Sequence, residues 1–318
     1  MPDVNAAFLA YRAGAETARR LPAPLGRLLA RAAARGMLAF ARDRRRQVEW
    51  NLRQVLGADA TDATIAATTA QLFNNYARYW HELFRLDPNV ASAGSTVLDL
   101  GELVGAAHLD AATGGPGATP PRGAILGLPH LGNWDFAGAF LAARGHRLVV
   151  AAEPVEPLEL FDWFVETRRR LGIDVVGLGP DAAPRLLRAL DAGALVCLVC
   201  DRDLTGDGVE VELFGAPARV PRGPALLALR AGVPLLPASA EFLADGRQRI
   251  SIEAPLALDR RGRLRDDVAR VTQDLVRRFE ARIAAHPDQW LVMQPVWSDG
   301  TVGGSSPAAA PSAPKQAE

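Results

Sequence analysis

His130 is the residue whose type and neighbours most directly offer chemistry. It follows the apolar run Ala124–Leu128 and Pro129 and precedes Leu-Gly-Asn-Trp-Asp135, so it stands where a strand ends and a helix begins. An imidazole can take a proton from a hydroxyl when a carboxylate holds its tautomer and stabilises the imidazolium. Asp135, five residues on, is one candidate for that carboxylate. It also falls in a first helical turn, where the helix dipole favours negative charge, and Asn133 is placed to cap that turn. The other histidines, His81, His108, His146 and His286, have Leu86, Thr113, Ala151 and Leu291 at the same offset, and none stands at a strand-to-helix turn followed by glycine. The plainer alternative is a histidine that closes a strand while Asp135 merely caps its helix.

A second cluster is Asp201-Arg202-Asp203, directly after the apolar run Ala194–Cys200. Two carboxylates at i and i+2 on a strand end could hold a divalent metal. Asp-Arg-Asp-Leu-Thr205 also imitates the Asp-x-Asp-x-Thr pattern of phosphatases. That makes a metal-dependent phosphatase or glycosyltransferase on Asp201 and Asp203 the rival reading, although the motif comes late in the α/β region and lacks a helper lysine. An Arg202 that pairs locally and holds its loop is the simpler account. Downstream, Gly208–Gly215 reads as a strand whose alternation puts Glu210 and Glu212 on one face. Arg219 and Arg222 then lead into a helix start that could take a phosphate, or could be a polar turn with ordinary capping. Cys197 and Cys200 sit inside an apolar strand-like run on opposite faces, as buried inert thiols. The dinucleotide glycine fingerprint and the Gly-x-Ser-x-Gly elbow of serine hydrolases do not occur.

These residues need elements to hold them. From residue 124 onward, short apolar runs at Ala124–Leu128, Leu148–Ala151, Ile173–Gly177, Ala194–Cys200 and Leu235–Ala240 alternate with helical stretches near 134–143, 157–171, 181–192, 222–231 and 264–285. Such alternation predicts an α/β fold with a mostly parallel central sheet flanked by helices and its site at the carboxyl ends of the strands. Val4 to Gly57 is helical in pattern, broken at Pro22 and Pro24. Thr61 to Leu86 is a further helix whose stripe of Leu72, Phe73, Tyr76, Trp80, Leu83 and Phe84 is core-like. Residues 111–122 read as a loop. The expected organisation is a helical segment over 1–86 with a basic amphipathic start, an α/β core over 95–300 forming a single domain with the helices, and a disordered Gly/Ser/Ala/Pro tail over 303–318.

Charge narrows the partners. Thirty-six basic and thirty-six acidic residues balance over 318, but residues 1–53 hold eleven arginines against Asp3, Glu16, Asp43 and Glu49, a local +7. A neutral sum argues against a nucleic-acid binder, while the basic segment can meet an anionic surface. An arginine-decorated amphipathic helix can lie in a bilayer interface; the alternative is a helix with a solvated basic face. Lys315 is the sole lysine, so mechanisms needing a core lysine have no candidate. Two cysteines cannot build a disulfide framework, and no stretch approaches about eighteen uninterrupted apolar residues. With no signal-peptide pattern at the start, the expectation is a cytoplasmic protein that meets a membrane only from its surface.

Taken together, Pro129-His130-Leu-Gly-Asn-Trp-Asp135, Asp201-Arg-Asp203, Val209-Glu-Val-Glu-Leu-Phe-Gly215, Arg219 with Pro221-Arg-Gly223, and Gln289-Trp290 with Trp297 resemble the lipid A lauroyl-type acyltransferases. These belong to the glycerolipid superfamily with its His-x-x-x-x-Asp signature. The branch the series most resembles is that of actinobacterial phosphatidylinositol mannoside acyltransferases. The resemblance implies an acyl-CoA-dependent O-acyltransferase that moves a long fatty acyl chain to a mannose 6-hydroxyl of phosphatidylinositol mannoside. It implies acyl-CoA and the mannosylated lipid as partners, the inner leaflet of the plasma membrane as the place, acyl-CoA as donor substrate rather than cofactor, and no metal. His130 matches the catalytic histidine, Asp135 the motif aspartate and Glu210 an acid that pairs with the histidine, with Glu212 one alternation away. Arg202, Arg219, Arg222 and Asn133 are the expected substrate-binding residues. Two departures stand out: Ala216-Pro217 follows Gly215 where the family often has glutamate, and Val296 precedes Trp297 where lipid A enzymes often have arginine. The second argues against a lipid A acceptor.

Overall fold

The computed structural model describes residues 4–86, 96–203 and 206–297, so the tail expected over 303–318 lies outside the described residues. The chain opens with four helices: α1 (Val4–Arg20), α2 (Ala23–Phe40), α3 (Arg42–Leu56) and α4 (Asp62–Arg85). Pro22 precedes α2 and Pro24 sits in its first turn, where a missing N–H costs nothing. The expected two segments before Gly57 are three, because the backbone leaves helical geometry at Ala41 (φ −86°, ψ 63°), a break that carries no glycine or proline signal. At α4 the Thr61 hydroxyl accepts a hydrogen bond from the Thr64 N–H at 3.1 Å, an ordinary N-cap. Gly26 lets α2 approach α4 closely, since a Cβ there would lie 2.5 Å from His81 Nε2. Among the described residues no helix is long and apolar enough to cross a membrane.

After these come α5 (Val97–Leu100), β1 (Gly101–Val104), α6 (Ala106–Thr113), β2 (Ala124–Leu128), α7 (Trp134–Ala143), β3 (Leu148–Ala152), α8 (Leu158–Arg170), β4 (Ile173–Gly177), α9 (Ala182–Asp191) and β5 (Leu195–Val199). The hairpin β6 (Val209–Leu213) and β7 (Ala216–Val220) follows, then α10 (Gly223–Ala231), β8 (Leu235–Phe242), β9 (Gln248–Ile252) and α11 (Leu264–Ala285). Seven strands make one sheet in the order β1-β9-β8-β2-β5-β3-β4. From β8 to β4 every pair is parallel; β9 runs antiparallel to β8, and β1 parallel to β9. The fold is therefore the expected α/β layer architecture with a mostly parallel sheet. The expected loop over 111–122 gives up its first residues to α6.

Alternation along β2 sorts the core. Ile125 faces one layer with residues of α9, α10 and α11, while Leu126 and Leu128 face the other with residues of α4 and α7. Both faces are covered, so the central strands are apolar throughout rather than alternating with polar residues. The sheet is a rigid platform, and chain direction sends the ends of β2, β5 and β3 to one rim.

Candidate active site

The β2 end delivers His130 to that rim, and the β2–β5 register explains which group meets it. Leu128 is the partner of Val199, so His130 and Asp201 each lie two residues beyond a registered pair. His130 Nδ1 lies 2.5 Å from Asp201 Oδ1, and the His130 backbone N–H donates to Asp201 Oδ2 at 2.8 Å. The Trp290 indole N–H donates to the same Oδ2 at 2.7 Å. Asp201 is only 2% exposed, whereas the imidazole side chain is 21% exposed; with Nδ1 engaged by Asp201, the nitrogen left to act on a reactant is Nε2. Burial alone would push the Asp201 carboxyl up. The His130 charge and the hydrogen bonds from His130 and Trp290 outweigh it and hold the group below the usual carboxylate range. An ionised acid behind a histidine is the arrangement general-base chemistry requires.

The carboxylate the structure brings against the imidazole is thus Asp201, where the sequence pointed to Asp135 or Glu210. Asp135, 3% exposed in the first turn of α7, accepts from Arg168 Nε at 2.7 Å and Nη2 at 3.0 Å, and from the Tyr79 hydroxyl at 2.5 Å. Its oxygens are filled by a guanidinium fork and a phenol, so it ties α7 to α8 and α4. Burial, then the Asp135 charge, raises the Tyr79 phenol well above its usual value. Burial works against the Arg168 charge, and Asp135 more than offsets it, so the guanidinium is held more firmly protonated. Glu210 stands exposed on β6 across the hairpin from Arg219, and Glu212, one alternation on, is exposed as well. Both acids project from the exposed face of the hairpin, whose other face, Val211 and Leu213, is buried with residues of α11.

Asn133 is the cap the pattern suggested. It is fully buried, its Oδ1 accepts from the Phe136 N–H at 3.0 Å, and its Nδ2 donates to Glu82 Oε2 at 3.3 Å. The preceding Gly132 (φ +59°) has no room for a side chain, because a Cβ would lie 2.3 Å from the Ala240 carbonyl oxygen. That glycine turns the chain between histidine and cap. Of the expected phosphate-binding arginines, Arg202 sits beside Asp201, partly buried; burial lowers its pKa, partly offset by Asp201 and Glu153. Arg219 is exposed and reaches the Gly208 carbonyl at 3.3 Å, and Arg222 pairs with Asp207 at 3.0 Å on the surface.

The carboxylates of the rival metal reading point apart. Asp201 serves His130, while Asp203 accepts from the Gly206 and Gly208 N–H groups at 3.0 and 2.9 Å and so shapes its loop. Among the described residues no three acidic, histidine or cysteine side chains group as metal ligands. Thr205, the last residue of the phosphatase-like pattern, lies outside the described residues.

Below the rim is an apolar cavity of about 90 Å³. Leu126 and Leu128 of β2, Trp134 and Leu141 of α7, Val150 of β3 and Cys197 of β5 line it, with the Asp135–Arg168 pair in its wall. The Trp134 ring meets the His130 imidazole edge to face at 5.2 Å, so one residue borders both cavity and base. Cys197 has its thiol pushed up to about 12 by burial alone, and Cys200 is buried on the opposite sheet face, which fits two inert thiols. Sequence reasoning gave no role to Tyr79, Arg168 or Trp290. Arg168 is one of three consecutive arginines, with no spacing signal to single it out.

The chain matches the bacterial lipid A biosynthesis acyltransferase family over residues 4–299. It is 39% identical over 254 residues, 79% of this chain and 76% of the relative, to a protein of Mycobacterium tuberculosis described as a phosphatidylinositol mannoside acyltransferase. A protein of Mycolicibacterium smegmatis with the same description is 37% identical over 299 residues, 91% of this chain and 90% of the relative.

Proposed function

We propose, on the premise that this chain belongs to the bacterial lipid A biosynthesis acyltransferase family, that it moves a long acyl chain from acyl-CoA to a mannose 6-hydroxyl of phosphatidylinositol mannoside. Membership of that family makes the chain an acyltransferase. The observation that carries the finer reading is the His130–Asp201 dyad, whose imidazole meets Trp134 in the wall of the apolar cavity. A histidine base beside a slot for hydrocarbon suits a reaction whose electrophile is a fatty thioester.

The mechanism is direct transfer. Nε2 of His130 takes the proton of the sugar hydroxyl, the oxygen attacks the thioester carbonyl, and the carbon–sulfur bond breaks. The imidazolium, stabilised by ionised Asp201, returns the proton to the departing CoA sulfur. Arginines must bind the phosphates of donor and acceptor, since no lysine is available in the core. Arg202, next to the dyad, is the first choice, with exposed Arg219 and Arg222 further out. The donor is a substrate, and the scheme calls on no cofactor and no metal.

Docking to the inner leaflet of the plasma membrane falls to the N-terminal helices. Leu25, Leu28, Leu29 and Phe40 are exposed on α2, and Arg42, Arg44 and Arg46 follow on α3, also exposed. Apolar side chains next to guanidinium groups suit an interface of anionic lipid. The test is incubation with palmitoyl-CoA and a panel of mannosylated and unmannosylated lipids, with products read by mass. Transfer confined to mannosylated acceptors and lost in His130→Ala is the expected result. Equal transfer to every acceptor would refute the acceptor assignment, and activity lost to a chelator would revive the metal reading.

A further inference from the structure

We infer that Trp290 is a positioning residue of the transfer reaction, its indole N–H locking the Asp201 carboxylate so that the other oxygen faces His130 Nδ1. The inference rests on the general-base reading above. A carboxylate with one partner can rotate about its Cβ–Cγ bond and offer either oxygen at varied angles. Here Oδ2 accepts from two donors, the His130 backbone N–H and the Trp290 indole, which leaves Oδ1 aimed at the imidazole.

The donor itself is held in place. Trp290 is 1% exposed, and its backbone is registered to the histidine loop: Leu131 and Trp290 form an antiparallel bridge. The Leu291 N–H donates to the His130 carbonyl at 2.8 Å, and the Gly132 N–H donates to the Gln289 carbonyl at 3.0 Å. Behind it the ring packs edge-on against Trp297 at 6.0 Å, and Trp297 meets Trp50 of α3 at 5.5 Å. Base, acid and indole thus belong to one backbone-stitched unit.

A buried tryptophan needs some acceptor for its N–H, and a main-chain carbonyl ordinarily suffices. Trp297 does that, donating to the Leu213 carbonyl at 3.0 Å. Trp290 spends its N–H on the dyad's carboxylate instead, which a purely structural ring would not need to do. The charged and titratable groups facing Asp201 are His130 from the β2 end, and Arg202 and Cys200 on its own strand; Glu153, from the β3 end, acts on Arg202.

The experiment compares the full-length wild type with Trp290→Phe, and with a variant carrying 3-benzothienylalanine at position 290, which replaces the N–H by sulfur at nearly unchanged ring size. Losing a hydrogen bond to a charged group should lower kcat about ten- to a hundredfold and leave KM for palmitoyl-CoA nearly unchanged. A carboxylate stripped of a donor is a stronger base and holds the imidazolium proton more tightly, so the acidic limb of the kcat–pH profile should move to higher pH. In an Asp201→Ala background, Trp290→Phe should lower kcat no further. An unshifted limb in the benzothienylalanine variant, or a full additional loss in the Asp201→Ala background, overturns the inference while His130→Ala remains inactive. Transfer surviving in His130→Ala overturns the general-base reading itself, and this inference with it.

Discussion

Replacing Asp201 by asparagine tests the dyad most sharply, because the surrounding donors dictate how the amide must sit. Oδ2 of the wild-type carboxylate accepts two N–H groups, from His130 and Trp290, inside a site where Asp201 is 2% exposed. An NH2 group in that position would face two donors, so the amide oxygen must take it. The NH2 then falls on the Oδ1 side, 2.5 Å from where Nδ1 lies, and must donate to the imidazole. The ring is thereby driven to carry its proton on Nε2, the nitrogen that has to be free to act as base. In serine-protease triads the same tautomer trap lowers kcat by about 10⁴. Four decades correspond to about 5 kcal/mol of transition-state stabilisation. We expect Asp201→Asn to show a loss of that order in kcat at neutral pH, with KM for palmitoyl-CoA close to wild type and only a modest fall in melting temperature, from the lost charge. Asp201→Ala differs: it strands two buried N–H donors, at a cost of about 1–3 kcal/mol each, and should melt visibly earlier. The assay is steady-state release of CoA with saturating glycolipid acceptor, at a temperature where all variants are folded. An Asp201→Asn enzyme within tenfold of wild type would refute the argument.

Arg168→Leu strands the buried Asp135 charge and should cost about 3–5 kcal/mol, read as a lowered denaturation midpoint, whereas Glu210→Gln, exposed opposite Arg219, should leave both stability and kcat unchanged. Because Asp201 is held below its ordinary range, its contribution to stability is complete above the unfolded value of about 3.9 and is lost as pH falls through the lower folded value. The acid limb of the melting-temperature profile should therefore flatten in Asp201→Asn; an unchanged limb would mean that other carboxylates dominate it. On vesicles, replacing Leu25, Leu28, Leu29 and Phe40 by serine should weaken binding at every salt concentration. Replacing Arg42, Arg44, Arg45 and Arg46 by glutamine should remove mainly the part that screening suppresses near 0.1 M salt, where the Debye length is about 10 Å. Salt-independent affinity in wild type would show that the arginine run is only a solvated face.

Much of the layer architecture was legible because buried parallel strands announce themselves as short apolar runs between helical stretches. The runs at 124–128, 173–177 and 235–240 correspond to β2, β4 and most of β8. What escaped were β1, β7 and β9, and the reason differs for each. β1 is four residues, Gly-Glu-Leu-Val, at a sheet edge, too short for a pattern. β7 contains Pro217 and Arg219, and a proline inside a run reads against a strand, yet it is tolerated in a two-stranded hairpin. β9 carries Gln248 and Arg249, whose polar groups find Glu82 and Glu102 across the fold, partners no local pattern can show.

The His130–Asp201 pair was half legible for a related reason. His130 stands out locally, since it occupies a strand-to-helix turn with a tight glycine and a capping asparagine. Its acid does not, because the nearest carboxylate in sequence, Asp135, points the other way, into the guanidinium of Arg168 and the hydroxyl of Tyr79. A helix turns by about 100° per residue, so an acid in the first turn need not face the loop that precedes it. Asp201 lies 71 residues from His130, and its approach depends on strand order: the chain completes β3 and β4 before returning to place β5 next to β2. Once that neighbour is known, the match is a matter of counting, since both residues stand two positions past the Leu128–Val199 pair. Parallel strands in register bring equal offsets to the same height, and the groups just beyond them meet at the rim. Asp-Arg-Asp therefore looked like a motif of its own only because its partner comes from another strand. Its first acid belongs to the histidine and its second to the turn.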